Sequence, residues 1–248
     1  MSQGSNNRKA LLVGLNYKGT SNELNGCEND IRSMKECFLK VWGVPESNIT
    51  MKMDGELTPD KGFIFYLNEL VKDASDGDNL LFHYSGHGLQ IPDDNGDEAD
   101  GLDEAIMTNV GLVRDDEISN VLKGVPRGVT IFMIFDCCHS ATMADLSYHY
   151  SDRNEYRYAN YDRFDCNVVT ISGCQDTQTS SDAWIPEKRD FYGALTATLL
   201  PILDKANKNT NWKQIIDEAV RDVRKSGYTQ IPQFCATNQS LLRSKVLF

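Results

Sequence analysis

Three short apolar runs limit what this chain can fold into: residues 9–15 (KALLVGL), 79–84 (NLLFHY) and 129–135 (VTIFMIF). They are rich in aliphatic, β-branched and aromatic residues, are bounded by polar or glycine residues, and do not alternate apolar with polar. Each therefore reads as a strand buried on both faces, the habit of parallel sheets. Between the first two, residues 27–41 place Ile31, Met34, Cys37, Phe38 and Val41 at helical spacing. Residues 48–53 suit a short strand, and residues 58–74 a helix with Pro59 in its first turn. Helices are expected again at 115–122, 191–206 and 211–225, with strands at 166–172 and 231–235. This alternation predicts an α/β fold, a mainly parallel central sheet with helices on both faces.

The chemistry sits directly after two of these strands. Ser85-Gly86-His87-Gly88 follows the run at 79–84, and Asp136-Cys137-Cys138-His139-Ser140 follows the run at 129–135. In open α/β sheets, reacting groups gather just past the carboxyl ends of the strands. A histidine and a cysteine placed there have the makings of a thiol nucleophile and its base. The glycines around His87 allow a sharp turn, and the Gly88 N–H is the natural candidate for an oxyanion donor. His83 lies inside its strand and reads as structural; His139 neighbours the cysteine, but adjacent side chains diverge.

With 248 residues, 40% of them hydrophobic, the chain can bury a substantial core, and a single domain over 1–248 with a polar tail at 1–8 is expected. The formal charge of −11 argues against nucleic acid or an anionic membrane as partner and favours basic substrates. No run reaches the length of a membrane span, and the polar opening lacks the apolar core of a signal peptide, so a cytoplasmic protein is expected. Seven cysteines without regular spacing point to thiols rather than a disulfide framework.

The motifs SGHG and D-x-C-H-S, each after an apolar strand and separated by about fifty residues, resemble those of the metacaspases, caspase-fold cysteine peptidases. The resemblance runs from Lys9 to about Thr237 and takes in LNGCEND, DGLDE, RDDE and ISGCQDTQTSSDA. It implies a caspase-like fold, Cys138 as nucleophile in preference to Cys137, and His87 as base. It also implies an acidic pocket of Asp30, Asp136 and Ser85, hence peptide or protein substrates cut after Arg or Lys, because a guanidinium needs carboxylates for charge-assisted bonds. Asp30 alone would otherwise read as a helix-start carboxylate. One departure is Ala141, where the family usually has glycine.

The resemblance further implies a calcium site made from Asp103, Asp115, Asp116 and Asp145, with Ca²⁺ as activator. The acidic run at 93–104 (DDNGDEADGLDE) does not fit an EF-hand register and reads mostly as a solvated loop, and Asp115 is also a plausible helix start. Residues 145–165, tyrosine-rich and without a core period, lie where the family joins its large and small halves. They are read as an exposed linker open to self-cleavage at Arg153, Arg157 or Arg163, or as an ordered tyrosine-rich loop. Two functions stay open from sequence alone: a monomeric, calcium-stimulated Arg/Lys endopeptidase, and a non-proteolytic caspase-fold scaffold.

Overall fold

The computed structural model describes residues 6–92, 101–138, 144–152, 154–157, 163–173, 182–185, 190–228 and 230–246. The chain opens with β1 (Arg8–Gly14), α1 (Cys27–Val41), β2 (Ile49–Lys52), α2 (Phe63–Val71) and β3 (Asn79–Ser85). It then forms β4 (Gly88–Pro92), β5 (Leu102–Thr108) and β6 (Gly111–Arg114), followed by α3 (Asp115–Lys123) and β7 (Thr130–Asp136). The second half holds β8 (Tyr148–Ser151), β9 (Asn154–Arg157), β10 (Asn167–Ser172), β11 (Asp182–Ile185) and β12 (Asp190–Gly193). It ends with α4 (Ala194–Asp204), α5 (Trp212–Lys225) and β13 (Gln233–Ala236). Among the described residues, no helix is long and apolar enough to cross a membrane.

The central sheet of the described residues runs β2-β1-β3-β7-β10-β13-β8-β9. Its first half is parallel throughout, and β3 and β7 lie side by side with Ser85 opposite Asp136. The register therefore brings the exits of the His87 and Cys138 strands together. Strand parity then divides the side chains between two cores. Leu81, Phe132 and Ile134 pack with Ile31, Met34 and Phe38 of α1, Leu199 of α4 and Ile215 of α5. Phe82, Tyr84, Met133, Phe135 and Cys137 pack on the opposite face with Phe63 and Leu67 of α2 and Ile118 and Leu122 of α3. Helices thus cover both faces.

Three expectations need correction. Residues 148–151 are a buried strand of the main sheet, not part of an exposed linker: β8 pairs antiparallel with β13, and Tyr148 and Tyr150 join the core beside Phe234. Tyrosine hides this period from the sequence, because a ring can bury while its hydroxyl finds a polar partner, as that of Tyr150 does with Asp217 at 2.6 Å. Residues 190–193 form strand β12, so the helix expected from 191 starts at Ala194. The helix expected from 58 starts at Phe63, since Thr58 and Lys61 bridge to each other in a tight turn. The small sheet β4-β5-β6 stands where the sequence offered only an acidic stretch, and α3 follows it from Asp115, where a helix is expected. Residues 93–100 of that stretch, His139, Ser140, Ala141 and Arg153 lie outside the described residues.

Candidate active site

Gly88 shows how closely the two motifs meet. A Cβ built on it would fall 2.0 Å from the Cys138 carbonyl oxygen and 3.1 Å from the Cys137 sulfur, so only glycine lets the strand after His87 pass this close to the cysteines. Cys137 is fully buried with Phe135 on the α2–α3 face, whereas Cys138, one residue on, is partly exposed. Alternation at the strand end thus separates a core thiol from an accessible one.

His87 is partly exposed, and its ring is held on two sides. Nε2 lies 2.8 Å from the Asn22 carbonyl oxygen, and the Tyr17 ring lies over the imidazole with centroids 4.9 Å apart. A carbonyl can only accept, so Nε2 carries the hydrogen and Nδ1 carries the lone pair that can take a proton. The loop that supplies Asn22 is itself anchored: the Asn16 side-chain oxygen accepts from the backbone N–H of Cys27 and Glu28, satisfying orphan donors at the start of α1.

Beside this pair, on the α1–α4 face, the strand ends present Ser85 and Asp136, both buried, and α1 presents the fully buried Asp30. Ser85 Oγ donates to Asp30 Oδ2 at 2.7 Å, and the Gly193 N–H donates to both Asp30 oxygens at 3.0 Å. The Asp136 carboxylate accepts from the Thr196 N–H at 2.7 Å, in the first turn of α4, where orphan amides and the helix dipole favour an anion. Gly193 packs against both acids: a Cβ there would meet Asp136 Oδ2 at 2.2 Å and Asp30 Oδ2 at 2.9 Å. Thr196 also links inward, with Oγ1 3.1 Å from Nε2 of His83, whose burial drops its pKa to about 3. The three residues assigned to substrate binding are therefore one cluster.

The four acids assigned to calcium come from segments that meet at another corner. Asp115 accepts from the Glu104 N–H at 3.1 Å, next to Asp103, and Ser119 Oγ donates to the Ala144 carbonyl at 3.5 Å, next to Asp145. As folded, however, they are not arranged as a metal shell. Asp103 pairs with Arg114 at 3.0 Å, the other Asp115 oxygen accepts from the Asp116 N–H at 2.9 Å, and no group of three or more ligating side chains occurs among the described residues.

The profile of the family described as "Metacaspase, peptidase C14 domain" matches residues 8–147, which carry both motifs and the parallel half of the sheet. The chain belongs to the metacaspase family. It is 32% identical to Metacaspase-1 of Mycosarcoma maydis over 288 aligned residues, covering 93% of this chain and 70% of that protein. With Metacaspase-2 of Arabidopsis thaliana it shares 34% identity over 226 residues, 82% of this chain and 53% of the relative, so it spans about half of that protein's length. A solved protein of Geobacter sulfurreducens has the same architecture, with a TM-score of 0.72 at 26% identity, over 97% of this chain and 98% of that one. Metacaspases are cysteine-type endopeptidases, so this chain's substrates are peptides or proteins.

Within this metacaspase, sequence reasoning missed four contributors to the site. Asn22 acts through its main-chain oxygen, so its side chain gives no signal. Gly193 and Thr196 act through backbone N–H groups at a helix start that the sequence placed earlier. Tyr17 was open to detection, since it lies just past the carboxyl end of β1, the same position relative to its strand that drew attention to His87 and Cys138.

Proposed function

We propose that this metacaspase cleaves after arginine or lysine, with Cys138 as nucleophile, His87 as base and the Gly88 N–H as oxyanion donor. The observation that carries the specificity is the cluster of Asp30, Asp136 and Ser85 at the strand ends next to Cys138. Two carboxylates held by hydroxyl and amide donors favour a cationic side chain, and a planar guanidinium fits such a pair best.

The reaction follows from the proton inventory. His87 Nδ1 takes the Cys138 proton, the thiolate attacks the substrate carbonyl, and the developing oxyanion is met by the Gly88 N–H. The imidazolium then gives its proton to the leaving amine, and an acyl-enzyme remains on Cys138. Water, deprotonated by His87, releases the acid product and restores the thiol.

Calcium enters this proposal only as an activator. Asp103, Asp115, Asp116 and Asp145 could serve it only after Asp103 has left Arg114, which makes the corner a point of regulation and not of chemistry. Self-cleavage would fall at Arg157, exposed on β9, or at Arg163, with Arg153 as a third basic position in the same stretch. The cytoplasm and a monomeric state complete the reading.

Fluorogenic peptides matched except for Arg, Lys or Asp before the scissile bond test it, each with calcium and with a chelator. The expected result is turnover of the Arg and Lys peptides, stimulation by calcium, and loss of turnover in Cys138→Ala but not in Cys137→Ala. Preferred cleavage of the Asp peptide would reject the basic pocket, and full activity in chelator would reject the calcium role.

A further inference from the structure

Tyr17 and Tyr84 reach from two different elements to the one residue, His87, at both its N–H and its carbonyl. The backbone N of His87 lies 2.9 Å from the Tyr17 hydroxyl, and the His87 carbonyl lies 2.9 Å from the Tyr84 hydroxyl. The two hydroxyls are 2.9 Å apart, and each is 2.8 Å from the Met107 carbonyl. Two phenolic protons cannot fill all these contacts at once. Because the Tyr17 oxygen accepts from the His87 N–H, one arrangement carries a proton along the whole path. Tyr17 donates to Tyr84, and Tyr84 donates to the His87 carbonyl, which also accepts from the Met107 N–H at 2.9 Å. With both protons sent to Met107, the two phenol oxygens would face each other without a proton between them.

Other features are arranged around this pair. Tyr17 adopts a left-handed backbone with φ of 52°, a conformation that a non-glycine residue rarely takes. The Asp54 carboxylate holds that turn by accepting from the N–H of Tyr17 and of Lys18, both at 3.0 Å. Gly86 leaves the room the hydroxyls need, since a Cβ there would lie 2.5 Å from the Tyr84 oxygen and 2.6 Å from the Tyr17 oxygen. Burial raises the pKa of both phenols, so they stay protonated donors through the neutral range. The first glycine of the His87 motif thus serves the tyrosines as much as the turn.

We infer that Tyr17 and Tyr84 are positioning residues for the dyad: a relay of hydroxyls grips the His87 backbone at its N–H and its carbonyl, and the Tyr17 ring braces the imidazole. The inference rests on His87 being the base of Cys138. A base on a strand exit must be held to within a fraction of an ångström to act, and misplacement by about 1 Å can cost a hundredfold. Plain core packing, the alternative, predicts that the hydroxyls matter for stability alone.

The test uses the full chain with Tyr17→Phe, Tyr84→Phe, the double variant and His87→Ala. It measures steady-state kinetics on a peptidyl-arginine substrate, thermal stability, and the pH profile of Cys138 alkylation by iodoacetamide, located by peptide mass mapping. Expected for each single variant is a kcat about ten- to a hundredfold lower with KM nearly unchanged, and an alkylation profile displaced toward that of His87→Ala. The double variant should be little worse than the more impaired single one, because both hydroxyls belong to one relay. A wild-type alkylation profile and kcat in Tyr17→Phe, with only a lower melting temperature, would overturn the inference while leaving the dyad in place. An active His87→Ala with an unchanged alkylation profile would instead overturn the dyad and this inference with it. Should Tyr84→Phe fail to fold, Tyr17→Phe decides alone.

Discussion

His83 and His87 stand four residues apart, one inside β3 and one just beyond its end, and the chain has made opposite use of them. His83 is fully buried, its pKa is driven down to about 3 by burial, and its Nε2 meets a threonine hydroxyl. His87 is partly exposed; its Nε2 meets a carbonyl that fixes the tautomer, and its backbone is tied to two tyrosines. A neutral imidazole sealed in a core can neither take up a proton nor deliver one to a substrate. One held at the rim, with a defined lone pair and access to solvent, can do both. Residue type is common to the two; only the surroundings make one of them a base.

The sharpest way to break this comparison is to remove each histidine in turn. His87→Ala should lower kcat/KM by about 10²- to 10⁴-fold, with the melting temperature close to that of the parent. His83→Gln should keep kcat within a small factor and register mainly as a loss of stability, because its partner Thr196 backs the pocket and not the dyad. Steady-state kinetics and a thermal melt on both variants decide the matter. Equal losses of kcat would mean that the buried histidine takes part in the chemistry.

The contrast also marks what could be read from the sequence. His87, Cys138 and their strands were legible because apolar runs such as VTIFMIF admit few alternatives and the motifs follow them directly. Strand β5 was not, because it buries Asp103 and Glu104, and buried carboxylates imitate a solvated loop until their partners are known. Those partners are Arg114 for Asp103 and, for Glu104, Gln90 from the neighbouring strand at 3.0 Å. Strand β8 was masked by tyrosines and by His149, which turns from the Tyr148–Tyr150 face toward the sulfur of Cys235. Contacts made by main-chain atoms, such as the Asn22 carbonyl, leave no trace in residue identity. Local pattern reveals what is buried in bulk; it does not reveal polar groups whose burial depends on a partner distant in sequence.

A smaller effect is expected at the acid cluster behind the nucleophile. Asp30→Asn keeps an oxygen for the Gly193 N–H and for Ser85 but removes the charge. Loss of one charge-assisted contact costs about 1.5–3 kcal/mol, so kcat/KM for Arg peptides should fall about ten- to a hundredfold. Cys138 alkylation should stay at the parental rate, since the dyad is untouched. The comparison sharpens if His83→Gln raises KM in the same direction by a lesser amount, as a residue supporting the pocket through Thr196 should. A parental kcat/KM in Asp30→Asn would remove this carboxylate from substrate recognition.

The gentlest test concerns protons taken up on unfolding and not catalysis. An unfolded histidine titrates near 6.5, whereas His83 in the fold titrates at about 3. Between those values the unfolded chain binds a proton that the folded chain refuses, so stability rises with pH across this window and is lost as pH falls from 6.5. His149, lowered to about 4 by burial, adds to the same slope over a slightly narrower window. For one such histidine the loss is at most about 1.4 kcal/mol for each pH step of one, and only the part of the window in which the fold survives can be read. Carboxylates titrate in the lower part too, so the useful quantity is the difference between the parent and His83→Gln in urea melts from pH 7 to pH 5. The parent should lose stability faster than the variant as pH falls, and the two curves should run parallel above pH 7, where neither state of His83 is charged. Parallel curves over the whole range would show that His83 takes up its proton as readily in the fold as in the open chain, and the distinction between the sealed and the working histidine would fail.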